Sequence, residues 1–130
     1  MEGFIEYLSC NYKMAVEIGI GLYPRVALAL EARGLQVTAT DLQPEFMGVP
    51  VEFDDVRAPR LDLYEGAQVI YAVRPPLELL PSLKVLANTL AVDLVIKPLA
   101  DEPADGLLIN HGGSFFYLFP AKKRIFPRPS

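Results

Sequence analysis

The sequence predicts a single Rossmann-like α/β domain: an open, mostly parallel sheet with flanking helices and a C-terminal antiparallel hairpin. Apolar runs of strand length alternate along the chain with segments whose apolar residues recur at helical spacing. Short connections between them are typical of parallel strands joined by right-handed crossovers. With 130 residues, 52% of them apolar, the chain can form one packed core. We therefore expect one domain over residues 1–130, with a tail at 121–130.

The first half of the chain predicts the order helix, strand, helix, strand. Residues 3–12 carry apolar side chains at helical spacing, and the run MAVEIGI at 14–20 is typical of a strand buried on both faces. The next helix begins near Pro24 and ends at Gly34, a residue suited to a helix C-cap. The β-branched run at 36–40 then predicts the second strand, which ends on Asp41.

The second half predicts three more parallel strands and the hairpin. The strands are expected at 49–53, 67–73 and 92–99, and a leucine-rich helix at 77–90 whose first turn is separated by Pro81. Apolar runs at 106–110 and 114–119 flank a glycine pair and predict a hairpin that closes one edge of the sheet. The aromatic run SFFYLF at 114–119 would be an edge strand, so we expect a homodimer or the N-terminal helix to cover it.

Composition and charge exclude several classes of protein. The net charge of −4 disfavours non-specific binding to nucleic acid, and the basic run at 122–124 is interpreted as part of a solvated tail. The single Cys10 cannot form an intrachain disulfide, and no secretory leader precedes the domain, so a cytoplasmic protein is expected. No apolar run approaches the roughly 20 residues that span a bilayer, which predicts no membrane insertion.

Two glycines at the end of the first strand predict a ligand-binding turn. Open parallel sheets bind small molecules outside the carboxyl ends of their strands, and Gly19 and Gly21 would let a ligand approach the main chain closely. The following helix would offer unpaired N–H groups. Asp41 lies roughly 20 residues further on, the spacing at which an acid accepts hydrogen bonds from a ribose in dinucleotide-binding folds. We expect its carboxylate to make no hydrogen bond within the protein until a ribose binds. The alternative is a purely structural turn.

The residues around this turn favour one cofactor over another. Pro24 occupies the third position of G-x-G-x-x-G, which disfavours NAD. Glu17, followed by Gly19 and Gly21, instead resembles the E-x-G-x-G first motif of class I methyltransferases, which bind S-adenosylmethionine. The resemblance implies that this motif lines the methionine end of the cofactor and that Asp41 holds the ribose.

In the same family, residues after the third strand meet the adenine, and the resemblance implies that role here for Asp54 or Asp55. The stretches VEIGIG, TDLQP, IYAVRPP and VIKPL also resemble a small, uncharacterised archaeal family with a reduced methyltransferase-like fold. This second resemblance covers residues 14–99. It implies the fold and does not name a reaction.

Two basic residues at strand ends are the candidate substrate-binding groups. Arg74 stands where methyltransferases that act on base amines carry an Asp or Asn; arginine only donates, which disfavours base-amine methylation. Arg74 and Lys97 are suited to bind a carboxylate or phosphate. The alternative is that they pair with nearby acids at 54, 55 or 101.

Arg74 and His111 are the candidate catalytic residues. Histidine is the usual general acid or base near neutral pH, although a lone histidine in a hairpin turn is more often a surface residue. No cysteine and histidine cluster has metal-ligand spacing, so no metal is expected.

These observations lead to one functional hypothesis and two alternatives. The protein is expected to bind S-adenosylmethionine or a related adenosine nucleoside or nucleotide, as a methyltransferase for a small anionic substrate. The first alternative is a non-catalytic partner or regulatory module with a methyltransferase-like fold. The second is an NAD-binding domain. The expected partners are a small-molecule ligand and a second copy of the chain, paired through the C-terminal hairpin.

Overall fold

The computed structural model describes residues 1–99 and 105–122, so the last part of the expected tail and Asp101 lie outside it. Seven strands form one sheet in the order β3-β2-β1-β4-β5-β7-β6. They are β1 (Met14–Ile18), β2 (Gln36–Asp41), β3 (Val51–Phe53), β4 (Val69–Val73), β5 (Asp93–Lys97), β6 (Leu107–His111) and β7 (Ser114–Phe119). Strands β1 to β5 pair in parallel and β7 is antiparallel to both of its neighbours, which confirms the expected fold class.

Three helices cover the two faces of this sheet. On one face α1 (Glu2–Asn11) and α2 (Arg25–Ala32) bury a cluster in which the Phe4 ring lies edge-on to Tyr71 and Phe116. On the other face α3 (Leu80–Leu90) buries Leu83 and Leu86 against strands β4 and β5. No helix of the described residues is long and apolar enough to cross a membrane.

Pro81 accompanies a break between the first turn and the rest of the helix, as the sequence predicts. A separate 3-10 turn, Leu77–Leu79, precedes α3, and the proline lies in the first turn of α3, where its missing N–H breaks no helical bond. The C-cap of this helix is Ala91, which adopts the left-handed conformation with φ of 57°. This is a position that usually favours glycine.

Several element boundaries differ from the sequence-based expectation. Strand β3 is three residues long and begins at Val51, because Val49 leaves the sheet and is buried in the core. Strands β4 and β5 are also shorter than expected at one or both ends. A 3-10 turn at Leu61–Tyr64, which apolar spacing did not predict, connects β3 to β4.

The expectation that SFFYLF forms an edge strand is wrong. That run is β7, which lies between β5 and β6, so β6 is the outer strand. Its Phe116 is fully buried beneath α1, which agrees with the alternative that the N-terminal helix covers this run. The close fit of α1 depends on Gly3, because a Cβ there would lie 1.8 Å from the carbonyl oxygen of His111.

Candidate functional site

The turn after β1 leaves open space above the main chain. Gly19 and Gly21 have φ of 72° and 58°, a conformation that side chains disfavour. The N–H of Gly19 donates to the carbonyl of Thr40 over 2.8 Å, which ties the turn to β2. A Cβ built on either glycine would meet no atom within 4 Å. Glycine is therefore required here by backbone conformation, and the protein leaves the adjoining space free for a ligand.

Asp41 at the end of β2 holds this turn directly. Its Oδ2 accepts the N–H of Gly21 over 2.8 Å, and its Oδ1 accepts the N–H of Gln43 over 2.9 Å. The expectation of an unpaired carboxylate is therefore wrong. The start of α2 at Arg25, with Pro24 as its N-cap, agrees with the expected start near Pro24. Each carboxylate oxygen still has acceptor capacity, because a carboxylate offers about four lone-pair sites.

The glycine turn and the loop after β2 form a pocket of about 390 Å³, within the range typical of small-molecule sites. Its lining residues come from these two loops: Gly21, Leu22, Asp41, Gln43, Pro44 and Glu45. Sequence analysis missed four of them. The available signal was their position beside the predicted residues: Leu22 follows Gly21, and Gln43, Pro44 and Glu45 lie in the loop directly after Asp41. We call this pocket the glycine-turn pocket.

Glu17 lies within β1, two residues before the turn, and is 1% exposed. It is paired in register with Tyr71 of β4, which is also fully buried. Glu17 Oε1 and the Tyr71 hydroxyl have no hydrogen-bond partner among the described residues. Burial raises the pKa of Glu17 to about 7, and the neighbouring Tyr71 hydroxyl lowers it by a smaller amount. A buried carboxyl group with unused acceptor capacity therefore lies two residues before the glycine turn, outside the lining of the glycine-turn pocket.

The carboxylate of Asp54 makes structural hydrogen bonds within the protein, and its contact with an adenine stays a prediction. Its side chain is buried, with Oδ2 accepting the Tyr64 hydroxyl over 2.5 Å and Oδ1 accepting the N–H of Arg60 over 2.9 Å. These bonds join β3 to the 3-10 turn that follows it. The neighbouring Asp55 accepts the N–H of Arg57 in a local turn over 2.9 Å and is half-buried. A contact between Asp55 and an adenine stays a prediction.

Arg74 and Lys97 lie side by side at the carboxyl ends of β4 and β5. The N–H of Arg74 donates to the Lys97 carbonyl over 2.7 Å. The Arg74 guanidinium carbon lies 5.9 Å from the centroid of the Tyr23 ring, which belongs to the loop that follows the glycine turn. The structure thus brings together the two basic residues that sequence analysis singled out, next to the glycine turn.

His111 lies away from the glycine-turn pocket, at the end of β6. Its Nε2 is 3.1 Å from Glu6 Oε1, and its ring lies edge-on to Tyr7, so its described contacts are with α1. No group of three or more potential metal ligands occurs within residues 1–99 and 105–122. Two further cavities, of 460 and 480 Å³, flank α3, and their lining includes no residue of the glycine turn.

Solved structures with a similar fold include methyltransferases. The chain aligns with an RNA methyltransferase from Salinibacter ruber, in complex with S-adenosyl-L-homocysteine, at a TM-score of 0.58 and 16% identity, covering 95% of this chain and 92% of that chain. It aligns with the putative methyltransferase yhhF from Escherichia coli at a TM-score of 0.58 and 10% identity, covering 95% and 84%. At these identities the likeness shows the fold, a methyltransferase-like Rossmann fold.

Relatives by sequence are archaeal. A UPF0146 protein of Archaeoglobus fulgidus is 39% identical over 118 residues, covering 87% of this chain and 89% of the relative. A UPF0146 protein of Methanothermobacter thermautotrophicus is 33% identical over 114 residues, covering 84% of both. Residues 1–121 match the uncharacterised protein family (UPF0146) as a whole. The chain therefore belongs to the UPF0146 family, and the expected resemblance to a small archaeal family is confirmed.

Proposed function

We propose that this protein binds S-adenosylmethionine, or a closely related adenosine ligand, in the glycine-turn pocket and transfers the ligand's methyl group to a small acceptor. The observation that carries the proposal is the contact between Asp41 and Gly21. It places a carboxylate and a glycine turn at the ends of adjacent strands, beside open space. Adenosine ligands bind at this point of open α/β sheets.

The residues of the pocket fit such a ligand. The free lone pairs of the Asp41 carboxylate would accept hydrogen bonds from ribose hydroxyls. Leu22 and Pro44 offer apolar surface on which a base would pack. Glu17 would hold a positively charged amino group, because its Oε1 has no partner among the described residues. When bound, S-adenosylmethionine supplies an electrophilic methyl group, and these residues of the chain bind and orient its carrier.

Binding is tested by isothermal titration calorimetry with S-adenosylmethionine and with S-adenosylhomocysteine. The Gly21→Ala variant places a methyl group in the open space of the pocket and should weaken binding at least about tenfold. The Gly34→Ala variant is a matched control, since Gly34 also has a positive φ and open space around it but lies beyond α2, before β2. Alanine at Gly21, with φ of 58°, costs about 1–2 kcal/mol of backbone strain, and alanine at Gly34, with φ of 93°, costs at least as much, so an effect of strain alone would also appear in the control.

A second pair of variants tests the ribose contact. Asp41→Asn should weaken binding about tenfold to hundredfold, because one charge-assisted hydrogen bond is worth about 1.5–3 kcal/mol. Asp62→Asn removes the same charge from an exposed position outside the pocket and should leave affinity unchanged. The proposal is wrong if neither ligand binds, or if the two variants of either pair lose affinity equally.

A further inference from the structure

The ends of β4 and β5 bring the main chains of two basic residues next to each other. Val73 pairs in register with Lys97, and the following Arg74 donates its N–H to the Lys97 carbonyl. Burial and the nearby positive charge of Arg74 lower the pKa of Lys97. A pair of like charges raises the free energy of a folded protein unless a negative group lies between them. This arrangement is therefore suited to a bound anion.

Arg74 also adopts an unusual backbone conformation. Its φ is 53°, and among the described residues only Arg74 and Ala91 combine a side chain with a positive φ. Glycine adopts this backbone conformation at a lower free-energy cost than residues that carry a side chain. This strained residue directly follows β4, and its guanidinium group lies over the Tyr23 ring. Strained positions cluster at ligand sites, where the surrounding structure maintains them.

No carboxylate of the described residues neutralises the pair. The ion pairs found there involve neither Arg74 nor Lys97. Two of the acids that sequence analysis offered as partners, Asp54 and Asp55, are bonded instead to Tyr64 and to main-chain N–H groups. The Lys97 ammonium donates to the carbonyl of Phe115 over 2.7 Å. That bond uses one of its three donors.

We propose that Arg74 and Lys97 form an oxyanion-binding site that takes the carboxylate or phosphate group of the methyl acceptor. The role of the anion as an acceptor rests on the function proposed above. The guanidinium fork matches two oxygens of either group, and the ammonium adds a point charge. Because Arg74 contacts Tyr23, which follows the glycine turn, an anion held here would lie next to the glycine-turn pocket. The acceptor is then a small oxyanion.

The test is a ¹⁵N NMR titration of the protein with inorganic phosphate and, separately, with acetate, at constant ionic strength and without any adenosine ligand. We expect saturable shifts of the Arg74 side-chain Nε–H signal and of the Lys97 amide signal. The Arg74→Asn variant should weaken binding about tenfold or more. Asn is chosen because it tolerates a positive φ, so the melting temperature should not fall. Arg57→Gln, which removes an exposed arginine from a loop after β3, is the matched control and should leave affinity unchanged.

Tighter binding of phosphate would support a phosphorylated acceptor, and equal or tighter binding of acetate would support a carboxylate. The site proposal is wrong if neither anion causes saturable shifts. It is equally wrong if Arg57→Gln weakens binding as much as Arg74→Asn. Binding of S-adenosylhomocysteine is measured separately by calorimetry. If that ligand does not bind while the anions do, the anion site stands and only its role as the acceptor site is removed.

Discussion

Glu17 should make the protein less stable as the pH rises. Its carboxyl group is buried, and its pKa is raised from 4.5 to about 7 in the folded protein. Below pH 4.5 the group is protonated in both the folded and the unfolded chain, so its full contribution to stability is present. Between pH 4.5 and about 7 the unfolded chain loses this proton while the folded chain keeps it. The free energy of unfolding therefore falls across this interval.

The size of the effect follows from the two pKa values. Each pH unit between them changes the free energy of unfolding by about 1.36 kcal/mol. The interval from 4.5 to about 7 thus corresponds to a loss of about 3 kcal/mol. Glu17→Gln cannot ionise and should abolish this contribution, so the difference in stability between variant and wild type should change by that amount over the same interval.

Urea denaturation, followed by circular dichroism at a series of pH values from about 4 to 8, measures this difference. Other carboxyl groups titrate in the same range, so the comparison with a variant is essential. Glu31→Gln is the control, because Glu31 is an exposed glutamate of α2. The reasoning is refuted if Glu17→Gln keeps the pH dependence of the wild type, or if Glu31→Gln removes it equally.

The same titration should affect ligand binding in the opposite direction. The ionised carboxylate is the form that attracts a positively charged amino group, so the affinity for S-adenosylhomocysteine should rise between about pH 6 and 8. Calorimetry at these pH values should show a smaller rise for Glu17→Gln. An equal rise in both proteins would exclude Glu17 from the amino-group contact.

Three further predictions concern stability. Ala91→Gly should raise the free energy of unfolding by about 1 kcal/mol, because glycine adopts the left-handed C-cap with less strain; unchanged or lower stability in urea denaturation would contradict this. Tyr64→Phe should cost about 1–3 kcal/mol by leaving the buried Asp54 carboxylate short of a donor, with ligand affinity unchanged in calorimetry. Gly3→Ala should cost about 1–3 kcal/mol or more by forcing α1 away from the His111 carbonyl, so an unchanged melting temperature would refute the close packing there.

Much of the fold could be predicted because it depends on local patterns. Buried parallel strands are continuous apolar runs, and helices show three- and four-residue spacing, so all seven strands lie close to their expected positions along the chain. The position of SFFYLF was missed because either strand of a hairpin can pair with β5. The more apolar of the two runs takes the inner position, where Phe116 is buried on the face that α1 covers.

The residues of the candidate site could be predicted only where a short stretch of sequence indicates their role. Gly19, Gly21 and Asp41 were found because the turn requires glycine and the acid ends the next strand. The partners of Asp54 come from a loop that folds back onto β3, and no local signal reveals whether a carboxylate is already bonded. The same reason explains why Asp41 was expected to be unpaired.

The central claim is that an adenosine ligand binds above the turn that Asp41 holds. An ¹⁵N NMR titration with S-adenosylhomocysteine tests it residue by residue. We expect the largest saturable shifts at the amides of Gly19, Gly21 and Gln43, and small shifts in α3 and at Gly34. An absence of saturable shifts, or shifts that centre on the cavities beside α3, would contradict the claim.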